Sequence, residues 1–280
     1  MKRVVGLMAL LIAVLTVTPA AADFYVIAGG GRLGTAITTV PIAITSPGLY
    51  YLSNNLTSSV TTNNAITVNA DDVTIDLMGF CLTGPGKESG EGNSGIRVAA
   101  TRTNVEIRNG SIKAFGFDGI QAGDDCTGIR VVALRVRETG HNGINLKGDA
   151  NLVMDCAVMN VGSDGITFGL GGGSMVKGCH VQSCKDMGIY LGGEATAVGN
   201  TVRLCRRGIL GGRFVADNTV GFSGEIGIAV GMGNTITRNT AYINTGTGIN
   251  TGDYCTITNN TTDGLKSEPT CTLADNTVTP

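Results

Sequence analysis

The chain has 280 residues with 22 acidic and 20 basic side chains, a formal net charge of −2. That balance excludes the basic footprint by which proteins hold nucleic acid or anionic lipid. Glycine occurs 43 times and proline only 6 times, a composition of many tight turns rather than of disorder.

At the amino end, Lys2 and Arg3 precede an uncharged apolar run from Val4 to Val17, and Pro19-Ala20-Ala21-Ala22 supplies small residues before Asp23. This is the pattern of a secretory signal peptide over residues 1–22. The run is shorter than the ~20 residues a spanning helix needs, so no membrane span is expected after cleavage. The expected location is outside the cytoplasm, in the periplasm or beyond the cell.

Residues 23–64 carry no obvious repeat. Gly29-x-Gly31-x-x-Gly34 formally matches a dinucleotide fingerprint, but no helix pattern follows it. Ser46-Pro47-Gly48 followed by Leu49-Tyr50-Tyr51-Leu52 reads as a turn and a strand. The segment is expected to be an N-terminal cap that covers open strand edges.

From Ala65 to the end the chain is periodic. Eight Gly-Ile steps recur at nearly even intervals, with isoleucines at 96, 120, 144, 166, 189, 209, 228 and 249, giving differences of 24, 24, 22, 23, 20, 19 and 21. Short alternating runs separated by polar turns, such as Ile144-Asn145-Leu146 and Leu152-Val153-Met154, read as strands with one face inward. No segment of a dozen residues has helical periodicity. The expected fold is all-β, a stack of parallel strands about 4.8 Å apart, with Ile112, Val136, Val158, Val181 and Val202 in one inward ladder. Glycine at the step is expected to serve a turn that needs positive φ. The leucine spacing of leucine-rich repeats is missing, and pitches of 19–24 do not divide into strict hexapeptides.

Asn234-Thr235-Ile236-Thr237-Arg238-Asn239 is similar to the Asn-x-Ile-x-x-Asn core of right-handed parallel β-helix repeats, the pectin-lyase-like fold. Val73-Thr74-Ile75-Asp76-Leu77-Met78-Gly79-Phe80 resembles the opening-coil segment of secreted members, with Met78 where Asn is typical. The resemblance covers about 65–278 and implies a right-handed parallel β-helix of about nine coils. Proteins of this fold include polysaccharide lyases, hydrolases and epimerases.

All eight cysteines follow the cleavage site. The repeat register stacks Cys156 on Cys179, Cys184 on Cys205 and Cys255 on Cys271, either as disulfides, as export favours, or as thiols packed in a ladder. With two histidines and no Cys-x-x-Cys pair, no zinc site is expected.

One polar cluster lies beside the Gly-Ile turns. Register puts Asp118, Asn142 and Asp164 in one row and His141 and Ser163 in the next. Arg97, Gln121, Asn145, Thr167 and Tyr190 fall on the far side of the turn, followed by Lys147. Asp118, His141, Asp164 and Lys147 are the candidate acid/base residues, and Asn142, Asn145, Arg97 and Tyr190 the candidate substrate-binding residues, for chemistry on a uronate or a glycosidic bond. Carboxylates one coil apart could also hold Ca²⁺. Asp and Asn before Gly are equally the residues a turn selects. Two functions therefore stand side by side: an exported enzyme acting on an anionic polysaccharide, and a non-catalytic binding or structural scaffold.

Overall fold

The computed structural model describes residues 34–90 and 92–279. The expected signal peptide and most of the early glycine motif lie outside these residues. The described residues form strands, turns and bends, without helices, and so include no helix that could cross a membrane.

Strands stack in two parallel ladders. One holds eleven single strands, from Ile42–Ile44 through Ile96–Val98 and Ile144–Leu146 to Leu265–Lys266. The other holds 21 strands in two lanes, with a corner between, for example Leu152–Met154 and Ala157–Val161. Each turn of the solenoid visits the single ladder once and the double ladder twice. The ladder makes about ten turns, one more than expected, because in-register pairing begins before Ala65: Ile42 pairs with Ile66, Tyr50 with Ile75 and Leu56 with Leu82. The described part of the expected cap is thus the first turn of the stack.

The core is a set of columns of like residues. Ile112, Val136, Val158, Val181 and Val202 stack as the sequence implies. The isoleucines of the eight Gly-Ile steps form a second column and are fully buried. Each such side chain contributes about 1.5–3 kcal/mol by leaving water.

The reason for the glycines differs from the expectation. None of the eight takes a positive φ. They are required by close approach: a Cβ on Gly95 would stand 2.6 Å from the carbonyl oxygen of Gly119, and one on Gly143 equally close to that of Gly165. Each carbonyl accepts the N–H of the isoleucine one coil below, as in Ile144 N to Gly165 O at 2.9 Å, so the clash would strike a bond of the ladder. A ninth pair, Gly128-Ile129, lies off the period, and its glycine does take φ 68°.

Left-handed backbone sits at other corners, one of them between the two lanes at Asp155, Gly178, Gly199, Asp217, Arg238, Asn259 and Asp275, and another at Glu138, Asn160, Ser183, Leu204, Phe222 and Ile243. Asn, Asp and Gly tolerate it at least cost. At the corner between the two lanes the next residue points inward, giving the column Cys156, Cys179, Asn200, Asn218, Asn239, Asn260 and Asn276. Here each Asn Oδ1 accepts from the backbone N–H of the coil below: Cys179 to Asn200 at 2.9 Å, Asn200 to Asn218 at 2.9 Å, Asn218 to Asn239 at 3.0 Å and Asn239 to Asn260 at 2.9 Å. The side-chain amides donate to carbonyls inside the turn, as Asn239 does to Val215 and Thr237.

The cysteines are stacked as expected, but the disulfides are not there: all eight are free thiols. In a parallel ladder, side chains one above another keep parallel Cα–Cβ vectors, so their Cβ atoms stay near the ~4.8 Å strand spacing. A disulfide needs them at about 3.8 Å. Cys156 and Cys179 use their thiols as the asparagines use their amides, donating to Met154 O at 3.2 Å and Lys177 O at 3.4 Å. The neighbouring Cys156 and burial both push the Cys179 thiol up, and Cys205 and burial do the same for Cys184, while the stacked partners Cys156 and Cys205 are lowered by the same contacts.

Two outcomes test the columns. Protein purified without reductant should release eight thiols to Ellman's reagent in denaturant. Asn218→Ala, which strands buried donors above and below it, should lower stability by about 3 kcal/mol in urea unfolding, whereas Cys179→Ala should cost clearly less.

Candidate functional site

The strand Ile144–Leu146 carries the site, because polar residues border it at both ends. The turn before it brings Asp118, Asn142 and Asp164 into one row. Asp118 Oδ1 accepts from Asn142 N at 2.9 Å, Asn142 Oδ1 from Asp164 N at 3.0 Å and Asp164 Oδ1 from Met187 N at 2.9 Å. This row stitches one coil to the next, the role that turn chemistry alone would assign it.

Asp118 does more. Its side chain is fully buried and its Oδ1 also accepts from His141 Nδ1 at 2.8 Å, while Oδ2 accepts from Asn145 Nδ2 at 3.1 Å. The histidine is 42 % exposed. It lies flat on Phe117, with ring centroids 4.6 Å apart and planes 4° from parallel. A proton held on Nδ1 by the carboxylate makes Nε2 the basic nitrogen of the neutral ring. Asp118 thus fixes the tautomer, Phe117 fixes the plane, and Asn145 fills the remaining carboxylate oxygen.

Asp164, one coil beyond Asn142, is half-buried. Burial, ahead of the bond from Met187 N, leaves its carboxyl raised above the ordinary value of 3.8. Thr167 Oγ1 donates to its second oxygen at 3.3 Å.

The other expected residues are placed apart from this centre. Arg97, Gln121, Asn145, Thr167 and Tyr190 do form one row. Arg97 and Tyr190 each lie two rungs from Asn145, about 10 Å at the strand spacing, and Asn145 is buried in its contact with Asp118. Lys147 follows the strand, whose three residues span about 10 Å, so it stands at the opposite edge from His141. There its Nζ pairs with Asp124 at 3.0 Å. Asp124, Asp125, Asn145, Lys147, Asp149 and Leu170 line an open groove of ≈ 490 Å³. Among the described residues no three His, Cys, Asp or Glu side chains converge as metal ligands. Phe117 is the functional residue that sequence reasoning missed. The signal was present, since Phe117 and His141 each precede the Asp/Asn of the row and are joined by His141 N to Phe117 O at 3.1 Å.

The raised Asp164 carboxyl has a consequence for stability. Below about pH 3.8 the group is protonated folded or unfolded and costs nothing; as pH rises through its higher folded value, an ionised carboxylate must be kept half-buried and stability is lost. Asp164→Asn, which retains the acceptor for Met187 N, should raise the urea midpoint at pH 7, with the gain vanishing below pH 3.8.

Comparison with known proteins agrees with this architecture. Residues 94–218 match the family model described as a right handed beta helix region. No curated protein matches the sequence. Among solved structures, the A-module of the Azotobacter vinelandii mannuronan C-5 epimerase AlgE4 is similar at TM-score 0.67 and 12 % identity, over 83 % of this chain and 87 % of that one. The Dettilon tailspike protein gp208 gives 0.66 and 17 %, over 81 % and 54 %. A tailspike of E. coli bacteriophage HK620, in complex with a pentasaccharide, gives 0.57 and 10 %, over 77 % and 50 %. The chain thus spans about half the length of these tailspikes. At such identities the likeness is one of fold. Ladder topology, stacked columns and the matched region together identify the chain as a right-handed parallel β-helix protein.

Proposed function

We propose that this protein is exported and acts on an anionic polysaccharide, with His141 as the proton-transfer group. The observation that carries this reading is the half-exposed His141 held by a fully buried carboxylate. A β-helix needs only a turn-forming Asp or Asn at position 118; it does not need a histidine oriented by that residue and stacked on a ring. The signal-like amino end supports export, and the fold's occurrence in a mannuronan C-5 epimerase and in a tailspike in complex with a pentasaccharide supports a polysaccharide partner.

The geometry favours one reaction class over another. Hydrolysis by two carboxylates needs both to reach the glycosidic bond. Asp118 cannot, because it has no exposed surface and both oxygens are engaged. A neutral imidazole instead suits removal of the proton on the carbon next to a uronate carboxyl group. The electron pair left behind expels the neighbouring 4-linked oxygen, giving an unsaturated sugar, or the carbon regains a proton on its other face, giving the epimer. Arg97, two rungs away, would offset negative charge along the chain of sugars.

The competing reading is a non-catalytic scaffold, favoured by the stitching bonds of Asp118, Asn142 and Asp164. One experiment separates them. Polymannuronate, polyguluronate and polygalacturonate are incubated with the protein, with and without Ca²⁺, and followed by ultraviolet absorbance of unsaturated products and by proton NMR for epimers. His141→Gln should lower any turnover by about 10²–10⁴-fold, and Asp118→Asn, which keeps the ladder acceptor, should lower it for want of the correct tautomer. No change in any polymer, or wild-type rates in His141→Gln, overturns the catalytic reading.

A further inference from the structure

Beside His141 runs a column of three closely packed glycines. Gly116, Gly140 and Gly162 stack along it, and a Cβ on any of them would collide with backbone of the adjacent coil: with Gly90 for Gly116, with Gly116 and Lys87 for Gly140, and with Gly140 for Gly162. No side chain can stand there. His141 follows Gly140 in the chain, and Ser163, which follows Gly162, donates its N–H to His141 O at 3.0 Å. The glycines and the histidine are therefore neighbouring columns of the same coils.

Two open depressions meet at Gly162 and Lys185 and form a trough. One, of ≈ 450 Å³, is lined by Lys87, Glu138, Asn160, Gly162, Ser183 and Lys185. The other, of ≈ 440 Å³, shares Gly162 and Lys185 and adds Ser163, Asp186 and Arg206. Their acidic groups are already neutralised: Glu138 pairs with Arg137 at 2.6 Å and Asp186 with Arg206 at 2.6 Å. Lys185 makes no salt bridge among the described residues. Lys87 has only Glu88 at 3.7 Å, a side chain that is 88 % exposed. The uncompensated charge facing the trough is positive.

We propose that Lys87 and Lys185 form an anion subsite for a polyuronate chain, seating carboxylates of the sugars that flank the one presented to His141. This rests on the polysaccharide reading above and gives it a source of selectivity. Lysines at separate levels of the stack reward a polymer that repeats its charge. A neutral glycan gains nothing from them.

The test is calorimetric titration of the full chain with octamers of mannuronate, guluronate and galacturonate and with neutral cellohexaose, at low and high salt. The wild type should bind at least one uronate octamer, more weakly as salt rises. Lys87→Ala/Lys185→Ala should lose about tenfold in that affinity. Unchanged uronate affinity in the lysine double variant, with circular dichroism matching wild type, overturns the subsite and leaves the His141 reading intact. Equal affinity for cellohexaose overturns it as well. Failure of the wild type to bind every octamer overturns both.

Discussion

Each coil of this protein is held to the next by parallel strand pairing in strict register, and every other feature follows from that constraint. Register places like positions one above another, so a residue is judged by what stands in the same column on either side. Isoleucine on isoleucine and valine on valine fill the core without polar groups. Asparagine on asparagine closes the corner between the two lanes, where N–H groups would otherwise be left unbonded. Glycine on glycine lets the carbonyl of one coil reach the isoleucine N–H of its neighbour.

The candidate cluster around His141 is a local departure from column uniformity. Most columns repeat one chemistry for several rungs. The column Phe117, His141, Ser163 and Asp186 repeats none, and it lies next to the column in which Asp118 is buried. A residue that elsewhere would only accept a backbone N–H here carries a second bond to an imidazole. The stacking spacing that aligns hydrophobic ladders also puts one ring flat upon another, so orienting the histidine costs the fold little beyond the choice of residues.

Much of the fold was legible in the sequence, because inward positions alternate and the Gly-Ile steps give each coil an origin. The valine column from Ile112 to Val202 could be aligned residue by residue. What was misjudged depends on directions rather than positions. The cysteines were aligned correctly, but column alignment alone does not bring Cβ atoms together, since parallel side-chain vectors hold them apart. The glycines were found, but their cause lies in a contact with the next coil that no single turn contains. Asn239 was noted as half of a repeat motif, yet its hydrogen bonds become visible only when Asn218 and Asn260 are stacked around it. Lys147 was grouped with His141 by nearness in sequence, although an extended strand carries the chain from one edge of the sheet to the other between them.

The dyad also bears on how such a chain can grow. Asp118 and His141 belong to successive coils, and neither coil contains both. Solenoids lengthen readily by repeating a single unit, since a new coil needs only compatible neighbours. Copying either coil alone would extend the core columns and the amide ladder faithfully, yet it would yield no second dyad. The structural repeat is inherited coil by coil, whereas this pairing exists only at one junction and must be preserved as a pair.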